Sequence, residues 1–107
     1  MIKLVNEDRV KKYPTKSDIT SKLSAALGRS FVNRCIIEKY GKLDSVGDNK
    51  YDKDKLFILV PTKDSYTYVP TGYLKEFNIH ALSISEEDRF CKGLYREYSI
   101  YEVIGWK

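Results

Sequence analysis

The sequence contains few of the side chains from which catalytic and metal centres are built. Histidine occurs once and cysteine twice in 107 residues. Structural zinc sites use closely spaced pairs of Cys or His ligands, and Cys35, His80 and Cys91 lack that spacing. No catalytic motif surrounds His80, so a structural or surface role is the simpler interpretation. We therefore expect no catalytic residues, no metal, no cofactor and a protein that is not an enzyme.

Glycine-rich phosphate loops and acidic metal motifs are missing as well. No glycine-rich turn follows the apolar segment 56–60, where a nucleotide-binding loop would be sought. Glu86, Glu87 and Asp88 are consecutive acids that could hold a divalent cation. They directly follow Ser85, however, and acids in the first turn of a serine-capped helix have an ordinary structural explanation.

Long apolar runs are also absent. The longest, residues 56–60, is far shorter than the roughly 20 residues of a membrane-spanning helix. The N-terminal residues include no apolar stretch long enough for a secretory signal. Cys35 and Cys91 are therefore expected to be two reduced, buried thiols. These features predict a cytoplasmic protein with no membrane partner. A richness in Lys, Tyr, Asp, Asn and Ile fits a phage or mobile-element origin.

The residues that are present fit one folded domain, residues 1–107. Apolar residues make up 42% and charged residues 32% of the chain, as in soluble globular proteins. A chain of this length can bury one core without disulfides or metals.

The N-terminal half predicts two short helices. Thr15 or Ser17 can cap the first helix, which Gly28 would end. Ser30 can cap a second helix, which Gly41 would end. The apolar faces predicted by helical spacing are Ile19, Leu23, Ala26 and Leu27 in the first helix, and Phe31, Cys35 and Ile36 (or Val32, Ile36 and Tyr40) in the second.

The C-terminal half predicts a sheet. Residues 56–60 and 66–69 read as the strands of a hairpin whose loop is residues 62–65. Residues 79–84 look extended, a short helix begins at Ser85, and residues 98–104 are rich in the β-branched and aromatic side chains of strands. The predicted fold is α+β: an N-terminal helix pair resembling a helix-turn-helix, then a small, mostly antiparallel sheet with short helices.

Residues 9–42 carry most of the positive charge. They hold nine basic residues and two acids, a net charge of +7, whereas the whole chain is +4. A basic helical block on a mildly acidic body favours an anionic partner, first of all nucleic acid. The alternative is that these residues form the solvated faces of two ordinary helices.

Part of this block resembles a helix-turn-helix. Ser24 is the small residue four positions before the turn glycine, Gly28, and a hairpin after the helices would suit the wing of a winged helix. Arg34 departs from the pattern, because that position is normally apolar. The resemblance implies a nucleic-acid surface, with DNA favoured over RNA, made of Lys11, Lys12, Lys22, Arg29, Ser30, Asn33, Arg34, Lys39 and Lys42. Lys16 is a further candidate for phosphate contact.

The second hypothesis is a protein partner. Seven of nine tyrosines follow residue 50. Tyr66 and Tyr68 would point to one face of a strand, and together with Tyr73 they could form an interface. The protein would then be a small phage-type inhibitor or modulator that binds an anionic protein surface or a nucleic-acid-handling enzyme. The simpler interpretation of each tyrosine is packing at the edge of the core.

Overall fold

A computed structural model describes residues 13–43, 47, 49–65 and 70–107. Its elements confirm an α+β fold in which a helix pair precedes an antiparallel sheet. The elements are α1 (Lys16–Leu27), α2 (Arg29–Val32), β1 (Ile36–Lys39), a 3₁₀ turn (Tyr40–Lys42), β2 (Leu56–Pro61), α3 (Thr62–Ser65), α4 (Pro70–Tyr73), β3 (Phe77–Ala81), α5 (Ile84–Cys91) and β4 (Tyr98–Trp106).

Helix α1 begins and ends where capping residues were predicted. The Thr15 side chain accepts a hydrogen bond from the Asp18 N–H, and the Asp18 side chain accepts one from the Thr15 N–H, which completes a capping box. Gly28 ends the helix at a φ of 93°. Ile19 and Leu23 are fully buried and Leu27 is partly buried against the core, whereas Ala26, the fourth residue of the predicted face, is exposed.

Helix α2 is much shorter than predicted. It ends at Val32, and the residues expected to continue it to Gly41 instead form β1 and a 3₁₀ turn. A strand directs successive side chains to opposite faces, so Ile37 packs on the α1 side while Ile36 packs on the α5 side. A helix would place only one side of this segment against the core, and β-branched isoleucine suits a strand.

The four strands lie in the order β1-β2-β4-β3, and every neighbouring pair is antiparallel. Residues 56–60 of the central strand β2 are fully buried. Helices α1 and α2 cover one face of the sheet, and α5 with the 3₁₀ turn covers the other. The strand order leaves β1 and β3 as the two edges of the sheet.

The predicted hairpin after β2 is wrong at its loop. Residues 62–65 form α3, and β2 lies between β1 and β4. The wing of a winged-helix arrangement is therefore not made from β2 and this loop. The predicted return strand, residues 66–69, lies outside the described residues.

Near the C-terminus the predictions differ from the structure in their boundaries. Ser83, rather than Ser85, caps α5, with Glu86 completing its capping box. The extended segment before it, β3, spans Phe77–Ala81. The final strand is present and extends to Trp106, with an irregularity in pairing between Asn78 and Ile79. No helix in the described ranges is long and apolar enough to span a bilayer.

Candidate nucleic-acid interface

The N-terminal elements place the predicted nucleic-acid residues on several surfaces. Arg29 and Ser30 lie on α2, Asn33 and Arg34 follow it, and Lys42 lies in the 3₁₀ turn; all five are exposed. Lys22 lies on α1 and Lys39 ends β1. Lys11 and Lys12 lie outside the described residues.

A groove of about 460 Å³ lies against the edge strand β1. Besides apolar residues of α2 and β1, it is lined by polar and aromatic residues from α1, the turn after α2, β1, the 3₁₀ turn and the segment before β4. We call it the basic groove and define it by Lys16, Thr20, Asn33, Glu38, Lys42 and Tyr95. Two predicted residues, Asn33 and Lys42, thus meet at one site together with Lys16.

Glu38 is the acid of the basic groove. Its carboxylate accepts a hydrogen bond from Lys16 Nζ at 3.2 Å and one from the Lys39 N–H at 3.2 Å. Burial raises the pKa of Glu38, but these two hydrogen bonds and the charges of Lys16 and Lys42 outweigh it, so that the pKa lies below its ordinary value. Glu38 is therefore ionised at neutral pH, and it offsets part of the positive charge of Lys16.

The backbone of β1 also contributes to the groove. The Tyr40 N–H donates to the Lys55 carbonyl at 2.7 Å. Because hydrogen-bonded and non-hydrogen-bonded pairs alternate in an antiparallel ladder, the main-chain groups of Glu38 face β2 and those of Ile37 and Lys39 face outward. The Glu38 carboxylate covers the outward Lys39 N–H, whereas Ile37 directs its N–H and carbonyl towards the groove.

Lys22 and Lys39 do not line the basic groove. Lys22 forms an ion pair with Glu76 and lines a separate cleft with Phe77 and Trp106, on the β3 side of α1. Lys39 lies 3.9 Å from a carboxylate oxygen of Asp54. The predicted basic residues are thus divided between the groove with its α2 flank and two ion pairs elsewhere.

Arg29 and Arg34 extend the positive charge beyond the groove. Both are exposed, and the Arg34 guanidinium lies 5.2 Å from the centre of the Phe31 ring. This contact holds the arginine over α2. Arg34 follows Asn33 in sequence, and the Asn33 N–H donates to the Arg29 carbonyl at 2.9 Å, so both arginines flank the groove on its α2 side.

Sequence reasoning missed Thr20 and Tyr95 as groove residues. The Thr20 hydroxyl oxygen is buried and has no hydrogen-bond partner in the described part of the chain. Tyr95 precedes β4 and reaches the groove only through the tertiary fold. No signal in the sequence could join Tyr95 to α1, because the two are distant along the chain.

Near the opposite edge of the sheet, large apolar side chains are partly exposed. Ile104 and Trp106 on β4 are 46% and 47% exposed, and the Trp106 ring lies 4.7 Å from the ring of buried Phe77. Tyr73, on α4, is 44% exposed. We call Tyr73, Ile104 and Trp106 the aromatic edge.

The remaining tyrosines of the protein-binding hypothesis do not form an open sheet face. Tyr66 and Tyr68 lie outside the described residues. Tyr51 and Tyr101 are buried against the core, as the simpler interpretation predicted for individual tyrosines. Of the predicted protein-binding residues, Tyr73 is the one that the structure places on the surface.

The chemistry-bearing side chains do not gather into a metal centre within the described ranges, where no group of three or more His, Cys, Asp or Glu residues is found. His80 lies 3.4 Å from a carboxylate oxygen of Glu86. Cys35 and Cys91 are not joined by a disulfide.

The fold defines a small α+β domain with a basic groove at one edge of the sheet and exposed apolar side chains near the other. No protein-family model, curated protein or solved structure matches the chain.

Proposed function

We propose that this protein binds nucleic acid, without catalysing a reaction, through the basic groove and the exposed arginines beside it. The observation that supports this most is the meeting of Lys16, Asn33 and Lys42 at one groove. Arg29 and Arg34 add two exposed guanidinium groups on its flank. Such an arrangement suits contact with phosphates, which attract Lys and Arg whatever the base sequence.

The short α2 changes how binding would occur. A four-residue helix is only about 6 Å long, whereas a recognition helix lies across a major groove about 12 Å wide. The proposed contact is therefore made by side chains projecting from α2 and the groove. A cytoplasmic location, which would give access to nucleic acids, is part of the same proposal.

The experiment is a titration of labelled DNA and RNA by fluorescence anisotropy at several salt concentrations. Replacing Arg29 and Arg34 together with alanine should weaken binding at every salt concentration. It should also reduce the slope of log affinity against log salt by about 1.4 to 1.8, since each lost phosphate contact removes about 0.7 to 0.9.

The matched control is Lys75→Ala/Lys107→Ala. It removes the same charge from exposed positions beside β3 and at the C-terminus. An equal loss of binding in both double variants would show that net charge acts alone. Absence of binding by the wild-type protein at low salt would contradict the proposal outright.

A second candidate function, binding to a protein, is favoured by the aromatic edge. Three large apolar side chains there are each nearly half exposed, and Trp and Tyr are enriched in the centres of protein interfaces. If the protein acts as an inhibitor or modulator, Trp106→Ala should weaken the complex with its target while Arg29→Ala/Arg34→Ala leaves it intact. Pull-down affinities of the two variants would show this.

A further inference from the structure

The volume of the basic groove suits a small group rather than a duplex. At about 460 Å³ it lies within the range of about 300 to 1,000 Å³ that ligand sites occupy. In a duplex the bases are stacked inward and only phosphates and base edges are presented. A base can enter such a groove only when the strand is single or locally unpaired.

The lining offers the separate contacts that one nucleotide needs. Tyr95 is the one aromatic residue among the described residues of the lining, and aromatic rings stack on bases. The amide of Asn33 can both donate to and accept from a base edge. Lys16 and Lys42 supply positive charge for the phosphates on either side.

The backbone of β1 adds two hydrogen-bonding groups at the groove. The main-chain N–H and carbonyl of Ile37 face away from β2, on the side where the groove lies. A base edge is rich in donors and acceptors that could meet these groups. The Thr20 hydroxyl oxygen is buried, so a ligand in the groove does not contact it.

We infer that the basic groove holds one unstacked base of a single-stranded nucleic acid, while Arg29 and Arg34 hold the adjoining phosphates. The inference rests on the proposed function and adds the class of strand that is bound. Tyr95 contacts the base face, and Asn33 contacts its edge. Because the base must leave a stack to enter, an intact duplex is bound through phosphates alone and more weakly.

The test compares anisotropy titrations of a labelled single strand of about ten nucleotides, its duplex, and a strand of the same length whose central nucleotides are abasic. The single strand should bind on the order of tenfold more tightly than the duplex or the abasic strand, since stacking of one base on an aromatic ring is worth that much.

Two pairs of variants identify the groove. Tyr95→Leu should reduce single-strand affinity on the order of tenfold and leave duplex affinity unchanged, whereas Tyr95→Phe keeps the ring and should bind as the wild type does. Asn33→Ala should also weaken single-strand binding, and Asn49→Ala, at an exposed position outside the groove, should not. Circular dichroism confirms folding, and the asparagine pair decides if Tyr95→Leu does not fold.

The outcomes separate this inference from the proposed function. Equal affinity for all three strands, with loss of binding only in Arg29→Ala/Arg34→Ala, would overturn the inference and leave nucleic-acid binding standing. No binding of any strand at low salt would overturn both.

Discussion

The two edges of the sheet differ in chemistry although both belong to the same small domain. The β1 edge presents lysines, an asparagine and an ionised glutamate around a groove. The β3 edge presents Ile104 and Trp106, with Trp106 packed on buried Phe77. Electrostatic attraction to a phosphate backbone weakens as salt is added, whereas apolar contact depends on buried area and persists in salt. Binding at the two edges can therefore be distinguished by its salt dependence.

Both edges also face the problem of unwanted strand addition. At β1 the Glu38 carboxylate covers the outward Lys39 N–H, and charged side chains protect an edge from pairing with another chain. At β3 the pairing irregularity between Asn78 and Ile79 increases local twist, which has a similar effect.

The largest expected effect concerns stability at the apolar edge. Phe77 is 1% exposed and supports Trp106, so Phe77→Ala should lower the free energy of unfolding by about 3 to 5 kcal/mol. Replacing the exposed Arg34 at the basic edge with alanine should change the free energy of unfolding by no more than about 0.5 kcal/mol. Urea denaturation measures both. Similar losses of unfolding free energy in the two variants would contradict the view that Phe77 supports the fold while Arg34 serves binding.

A smaller effect is expected from the glycine that joins the two helices. Gly28 has a φ of 93°, which strains any residue with a Cβ atom even though the space around it is open. Gly28→Ala should therefore lower the free energy of unfolding by about 1 to 2 kcal/mol, and it should displace Arg29 relative to the groove.

The control for this variant is Gly72→Ala, which lies in α4 with open space around it and no positive φ. Alanine there should be neutral or stabilising by up to about 1 kcal/mol, because glycine is unfavourable within a helix. Thermal unfolding of the two variants gives the comparison. Equal stability would mean that the Gly28 backbone conformation carries no strain.

The sequence predicted the parts of this fold that local interactions determine. Thr15, Asp18 and Gly28 specify the ends of α1 through capping and a positive φ, and Ile19 and Leu23 specify its buried face. The segment around Ile36 and Ile37 is different, because its apolar residues fit a helical face or a strand. Pairing with β2 and burial on both sides decide in favour of the strand, and neither is visible locally.

The candidate site was predicted less completely for a related reason. Charge along residues 9–42 pointed to Lys42 and the helix-turn-helix resemblance pointed to Asn33, and the fold brings the two together. It could not show that Lys22 faces the other edge, since that depends on how α1 is rotated against the sheet. Thr20 joins the site because α1 packs beside β1, and Tyr95 joins it because of the order of the strands. Hydrophobic periodicity predicts neither arrangement.

The smallest and most specific effect is expected from the acid of the basic groove. Glu38→Gln removes a negative charge beside Lys16 and Lys42 without changing shape, so affinity for nucleic acid should rise several-fold at low salt. The matched control is Glu76→Gln, which removes the acid paired with Lys22 near β3 and should leave affinity nearly unchanged. A rise of equal size in both variants would mean that total charge, rather than the groove, determines binding.

The affinity for nucleic acid should also depend on pH through Glu38. The folded pKa of Glu38 lies below its ordinary value of 4.5, so its ionised form stabilises the fold above that pH and the contribution is lost as pH falls through the folded pKa. Protonation over the same range removes the groove's negative charge. Wild-type affinity should therefore rise towards that of Glu38→Gln as the pH is lowered below about 4.5. Anisotropy titrations of both proteins from neutral to acidic pH, on samples shown by circular dichroism to remain folded, would reveal whether the curves converge. Parallel curves would assign the titration to other carboxylates and remove Glu38 from the binding surface.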